Sequence, residues 1–148
     1  RTLQDHAAPR TGSDLLFKGA VEDEARSVYS GLIRLRPEAQ RAHASQTNRN
    51  LVLSPGAGAE SIPNLEIEAN DVRCSHASAV GPIDEDQLYY LQSRGVPPDV
   101  AERMIVFGFF EDVVERLPVP ALAARLRATV TEKFLARDYR ARDYRETA

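Results

Sequence analysis

The sequence predicts a mainly β half followed by a helical half, with the change at Gly81. Up to that residue the apolar runs are short and broken by Gly, Pro, Asn and Ser; beyond it they lengthen and take helical spacing. Charge shifts at the same place: residues 1–81 carry 9 basic and 10 acidic side chains, residues 82–117 carry 3 and 8, and residues 118–148 carry 7 and 4. The 148 residues, 43% of them hydrophobic, suffice for one domain or a domain with a small appendage.

In the first half, Leu15–Ala20, Val28–Leu35, Ala39–Ala44, Asn50–Leu53 and Asn64–Ala69 each have the length of a strand. Gly12-Ser13, Pro37, Pro55-Gly56, Gly58 and Pro63 stand between them as breakers. Leu65-Glu66-Ile67-Glu68 alternates apolar with acidic, and Ile33 and Leu35 alternate with Arg34 and Arg36, so each segment turns one face inward and one to solvent. Such a run of short strands fits a sandwich, a barrel or a parallel β-helix, and periodicity leaves the three open, since no strict repeat is present.

In the second half, Asp84 is placed to cap a helix, with Gln87 completing a capping box and Ile83 and Leu88 forming a staple. Gly95 ends that helix and Pro98 opens the next, which should run to Leu117 and stop at Pro118. Its middle, Met104 to Phe110, is apolar on nearly every face, which predicts a helix buried all round or docked to a partner. Tyr89-Tyr90 and Phe109-Phe110 read first as core. A third helix starts near Pro120, with Leu122, Leu126, Val130 and Phe134 along one seam. The chain thus divides into 1–81, strands; 82–136, helices; and 137–148, a charged tail repeating Ala-Arg-Asp-Tyr-Arg and expected to fray.

Composition excludes several functions. A net charge of −3 argues against a general nucleic-acid binder. No run approaches the roughly 20 apolar residues of a membrane helix, which argues against membrane insertion. One cysteine excludes an internal disulfide and suits a reducing compartment. The chain begins at Arg1 with no charged-then-apolar leader, and is expected to be a processed chain or a piece of a longer one. Phosphate-cradling glycine loops and the Gly-x-Ser-x-Gly elbow are absent from the sequence, so an enzyme with its own turnover is not expected. The Asp84-Glu85-Asp86 cluster is explained by the helix dipole.

Cys74 and His76 are the one pair of soft donors. On a strand they would share the face that carries Val72, with Cα atoms about 6.8 Å apart. A thiolate and an imidazole so placed can both reach a soft or borderline metal, but two ligands do not complete a site. The alternative is a small buried thiol and a satisfied core histidine.

Asn48-Arg49-Asn50-Leu51-Val52-Leu53-Ser54-Pro55-Gly56-Ala57, then Pro63-Asn64-Leu65-Glu66-Ile67, Asp71-Val72-Arg73-Cys74-Ser75-His76, Gly81 and Asp86-Gln87-Leu88-Tyr89-Tyr90-Leu91-Gln92-Ser93-Arg94-Gly95 follow in order. With Ser13, Phe17-Lys18-Gly19 and Tyr29-Ser30-Gly31 ahead of them, they resemble the C-terminal part of the SufB/SufD family of iron–sulfur cluster assembly proteins, over residues 6 to about 135. The Asn-Arg-Asn-Leu segment and Cys74-Ser75-His76 are similar to the SufD branch. Ala77-Ser78-Ala79-Val80-Gly81 departs from the Gly-Ala-Thr-Val-Gly usual after the histidine.

The resemblance implies a right-handed parallel β-helix followed by a small helical domain. It implies a scaffold subunit, not an enzyme, that pairs with a SufB-like subunit through its last β-helix strands and docks a SufC-like ATPase on the helical domain. A homodimer is the alternative for the isolated chain. Tyr89, Tyr90, Met104, Phe107, Phe109 and Phe110 would form the ATPase contact. His76, with Cys74 as a weaker companion, would stand at the subunit interface as a metal ligand of a shared site. No stably bound cofactor is implied, only a transient iron–sulfur cluster held between subunits. The location implied is the cytoplasm, or the plastid stroma in a eukaryote. The competing reading is a purely structural β-helix module in which His76 is core.

Overall fold

The computed structural model describes the backbone of residues 1–146 and the side chains of residues 1–133. It divides into two compact units, Arg1–Pro82 and Ile83–Ala148.

The first unit holds six strands: β1 (Thr2–His6), β2 (Gly12–Val21), β3 (Arg26–Leu35), β4 (His43–Val52), β5 (Gly58–Ile67) and β6 (Arg73–Gly81). Successive strands go to alternate sheets, ordered β1-β3-β5 and β2-β4-β6, and every pairing is parallel. Neither sheet closes on itself, which excludes the barrel. Gly12 faces His43, and His43 faces Arg73, so each coil of chain lies on the one before it. Hydrogen bonds repeat with the coil. Ser45 Oγ donates to Asp14, Arg36 to Asp5, Ser54 Oγ to the Asp23 carbonyl, and the Asp71 N–H to Gln40 Oε1, each across 31 residues. One corner repeats too. Arg10 and Arg41 both take left-handed backbone, φ 59° and 64°, and their N–H groups donate to the carbonyls of Gln40 and Asp71.

The core of this unit is Ile33, Leu35, Ala39, Ala42 and Ala44, with Val72 and Cys74 packed against it. Its interior is also polar: Gln46, Asn48 and Asn50 alternate inward along β4 and are almost fully buried. That explains where the strand boundaries differ from expectation. Asn50–Leu53 is only the end of a strand that begins at His43, because inward amides concealed the alternation. Most of Ala39–Ala44 is the corner around Arg41, where buried alanines fill a tight bend. Pro63, expected as a breaker, lies within β5; that strand pairs on one side only, where a missing N–H is tolerated.

The second unit holds α1 (Glu85–Ser93), α2 (Pro98–Val114) and α3 (Pro120–Glu146). Asp84 caps α1, its Oδ1 accepting from the N–H groups of Asp86 at 2.9 Å and Gln87 at 3.2 Å. Gly95 follows at φ 87°, the left-handed position glycine takes without strain. α2 ends at Val114, three residues short of the expected Leu117, in turns closed by Arg116 and Leu117 onto Val113 and Val114. The expected seam of α3 is rotated. Ala123 is buried, and Arg127, Val130 and Thr131 border a cavity with Phe107, Phe110, Glu111 and Val114 of α2, while Leu122 and Leu126 stay exposed. Phe134 lies outside the described side chains. The backbone of the tail from 137 is helical as far as Glu146, and residues 147–148 lie outside the described residues.

Candidate functional site at the β6 edge

Cys74 and His76 lie on β6, and their side chains share one face, as alternation on a strand requires. Their register partners on β4 are Ala44 and Gln46, two of the buried, inward residues. The face that carries them is therefore the inner face of the sheet. Among the described residues β6 is the last strand of that sheet and pairs only with β4, so the inward positions on it have no further strand over them. Cys74 is partly buried against the core, whereas His76, Ser78 and Val80 are exposed. The matching strand β5 shows the same pattern. Leu65 and Ile67, in register with fully buried Ile33 and Leu35, are 38% and 46% exposed. Interior-type side chains thus stand uncovered at this end of the strand unit, beside two unpaired strand edges.

Burial pushes the Cys74 thiol above its ordinary value, which disfavours the thiolate that binds metal. Among the described residues no three His, Cys, Asp or Glu side chains come together as a metal site. What the described residues offer at the edge is one exposed imidazole and one mostly protonated thiol, so a metal or cluster held here would need further ligands from beyond them.

The other histidines differ. His43 is exposed at the start of β4, beside an open groove of about 580 Å³ lined by Gly12, Asp14, Ser45, Arg73 and Ser75 that includes neither Cys74 nor His76. His6 is buried and bonded at both nitrogens, Nδ1 to Thr11 Oγ1 at 2.6 Å and Nε2 to Ser13 Oγ at 2.7 Å. Thr11 donates its proton to the Ala8 carbonyl and so accepts from Nδ1–H. Gln4 Nε2 donates to Ser13 Oγ, which leaves the Ser13 proton for Nε2. His6 is thus a satisfied interior histidine with its tautomer set. Residue type and spacing assign it no part, and only the turn that brings Thr11 and Ser13 back to it from β1 to β2 reveals its role.

In the helical unit the six expected contact residues separate. Tyr89, Tyr90 and Met104 are 73%, 57% and 49% exposed, so the tyrosines are not core. The Arg94 guanidinium lies 5.4 Å from the centre of the Tyr90 ring. Phe107, Phe109 and Phe110 are half-buried, with Phe109 and Phe110 edge to face at 5.3 Å, and Val106 alone of this stretch is fully buried. The middle of α2 is therefore not enclosed all round. No helix among the described residues is long and apolar enough to cross a membrane.

Comparison with known proteins connects these features. Residues 1–109 match the family model of the SUF system FeS cluster assembly SufBD core domain. A SufBD family protein of Mycobacterium tuberculosis is 42% identical over 138 residues, covering 88% of this chain and 35% of the relative. The iron–sulfur cluster assembly protein SufD of Escherichia coli is 35% identical over 133 residues, 90% of this chain and 31% of the relative. A chloroplast protein of Arabidopsis thaliana, ABCI7, is 38% identical over 119 residues, 80% of this chain and 25% of the relative. The chain therefore spans about a third or less of the length of these relatives, and with its core-domain match over most of its residues it belongs to the SufBD family of the SUF iron–sulfur cluster assembly system.

Proposed function

We propose that this chain is the C-terminal part of a SufD-like scaffold subunit, without turnover of its own, that pairs with a SufB-like subunit at the β5–β6 end and docks a SufC-like ATPase on its helices. The carrying observation is that His76 stands exposed on the inner face of the edge strand β6, among uncovered Leu65, Ile67 and Val80. A second parallel stack laid against this end would continue both sheets, cover the apolar side chains and bring its own donors to the imidazole. The alternating parallel sheets with a coil-long repeat support reading the strand unit as the last coils of a right-handed parallel β-helix.

The cluster is the cargo. Imidazole and thiolate suit iron, and a site shared by two subunits opens when they move apart. Nucleotide-driven dimerisation of the ATPase would supply that motion by favouring one arrangement of the subunits. Exposed Tyr89, Tyr90 and Met104 support a contact surface on the helices, and the identity of the ATPase comes from the family resemblance. The raised thiol gives Cys74 the lesser part. A cytoplasmic or plastid-stromal location accords with bacterial and chloroplast relatives.

His76→Ala tests this in the complex reconstituted with SufB-like and SufC-like partners. The scaffold reading expects unchanged melting and assembly, with cluster formation lost. Normal cluster yield refutes the role of His76, and a large loss of melting temperature with normal yield establishes the purely structural reading.

A further inference from the structure

Gln46 is 1% exposed, and neither its amide nitrogen nor its amide oxygen has a hydrogen-bond partner. An amide left so in an interior is costly, so its neighbours bear on why it is there. The amide lies over Gly31 on the facing sheet; a Cβ at Gly31 would collide with both of its polar atoms. Thr2 and Leu15 underlie this Gly31–Gln46 pair in register, and Pro63 and His76 overlie it. Leu15 and Pro63 have no polar side-chain atom. The Thr2 hydroxyl is engaged by the Tyr29 hydroxyl at 2.8 Å. Of the four residues in register with this pair, His76 is the one that brings a polar side-chain group not bonded elsewhere. It sits on the adjacent strand and the same face, about 4.8 Å away at the backbone.

We propose that Gln46 is a positioning residue for His76: its buried amide bonds one ring nitrogen from beneath, fixes the tautomer, and leaves the other nitrogen directed at the uncovered end of the strand unit. The inference deepens the assignment of His76 above and rests on it for its functional meaning, but the contact stands or falls by itself. Hydrogen bonds of this kind set which imidazole nitrogen is free to bind metal. The absence of a side chain at Gly31 makes the room the amide needs.

Imidazole 15N shifts of His76, recorded at neutral pH on the full chain, test the contact. The wild type is expected to hold predominantly one tautomer. Gln46→Met keeps the length and loses the bond; it should leave the melting temperature near that of the wild type, because the desolvation cost of the buried amide is removed together with its bond, and should return His76 to a mixture of tautomers. Gln46→Glu keeps an acceptor oxygen at the same reach and should again hold the ring in one predominant form, with an N–H directed at the carboxylate. Identical His76 shifts in wild type and Gln46→Met overturn the proposal, whatever the cluster yield; altered shifts with normal cluster yield in His76→Ala uphold the contact and overturn the function assigned to His76.

Discussion

Inside the strand unit, Asn50 Nδ2 donates a 2.8 Å hydrogen bond to Asn48 Oδ1, and both side chains are almost fully buried. Two amides on one strand thus satisfy each other in part where a sandwich core would place aliphatic residues. A Cβ at Gly19, one coil earlier, would come within 2.6 Å of Asn50 Oδ1, so the glycine leaves the space this pair occupies. Asn48→Ala strands the Asn50 donor in the interior and should cost about 1–3 kcal/mol of unfolding free energy. Chemical denaturation of the full chain measures it; an unchanged midpoint and slope would show that the pair contributes nothing.

Asp84 accepts from two N–H groups at the start of α1, and the helix buries no residue fully, so the cap weighs more than usual. Asp84→Ala should destabilise the helical unit by roughly 1 kcal/mol, whereas Asp84→Asn, another good cap, should lose far less. Helical circular dichroism followed through a thermal melt distinguishes them, and equal losses in both variants would point to charge alone.

Arg36 donates to both carboxylate oxygens of Asp5, at 3.0 and 2.6 Å, and this hydrogen bonding holds the Asp5 carboxyl below its ordinary value of 3.8. Because the folded carboxyl is the more acidic, its contribution is fully present above that value and fades as pH falls through the lower folded one. Asp5→Asn should flatten the stability profile below about pH 4 and leave it unaltered near neutrality apart from a constant offset. A mutant profile parallel to wild type throughout the acid range contradicts this.

The Cys74 thiol, raised by burial, should react slowly. Alkylation by a neutral reagent at pH 7.5 is expected to lag a free cysteine several-fold and to accelerate with rising pH. A rate above that of free cysteine would mean an activated thiolate and would raise Cys74 from a weaker companion of His76 to a principal ligand.

The division at Gly81, the Asp84 cap, the Gly95 stop and the Pro98 start were legible because each is local: a few neighbouring residues determine it. The strand order was not. Which strands pair depends on residues a coil apart, and the sequence carries no strict repeat to disclose it. β4 was half hidden because Gln46, Asn48 and Asn50 face inward, inverting the apolar-in pattern that strand reading relies on. The exposure of Leu65, Ile67 and Val80 was equally out of reach, since apolar alternation says which face turns inward and not whether another layer covers it. Cys74 and His76 stand out by type and spacing; that one is partly enclosed and the other open follows only from their places over Ala44 and Gln46.

In the proposed function, position 76 lies at a seam between two polypeptides. A photo-reactive benzoylphenylalanine in place of His76 in the full chain, irradiated in the reconstituted complex and mapped by mass spectrometry, tests it most directly. A cross-link into the partner subunit's strand unit is expected. Cross-links confined to this chain, in a complex shown to be assembled, would contradict it.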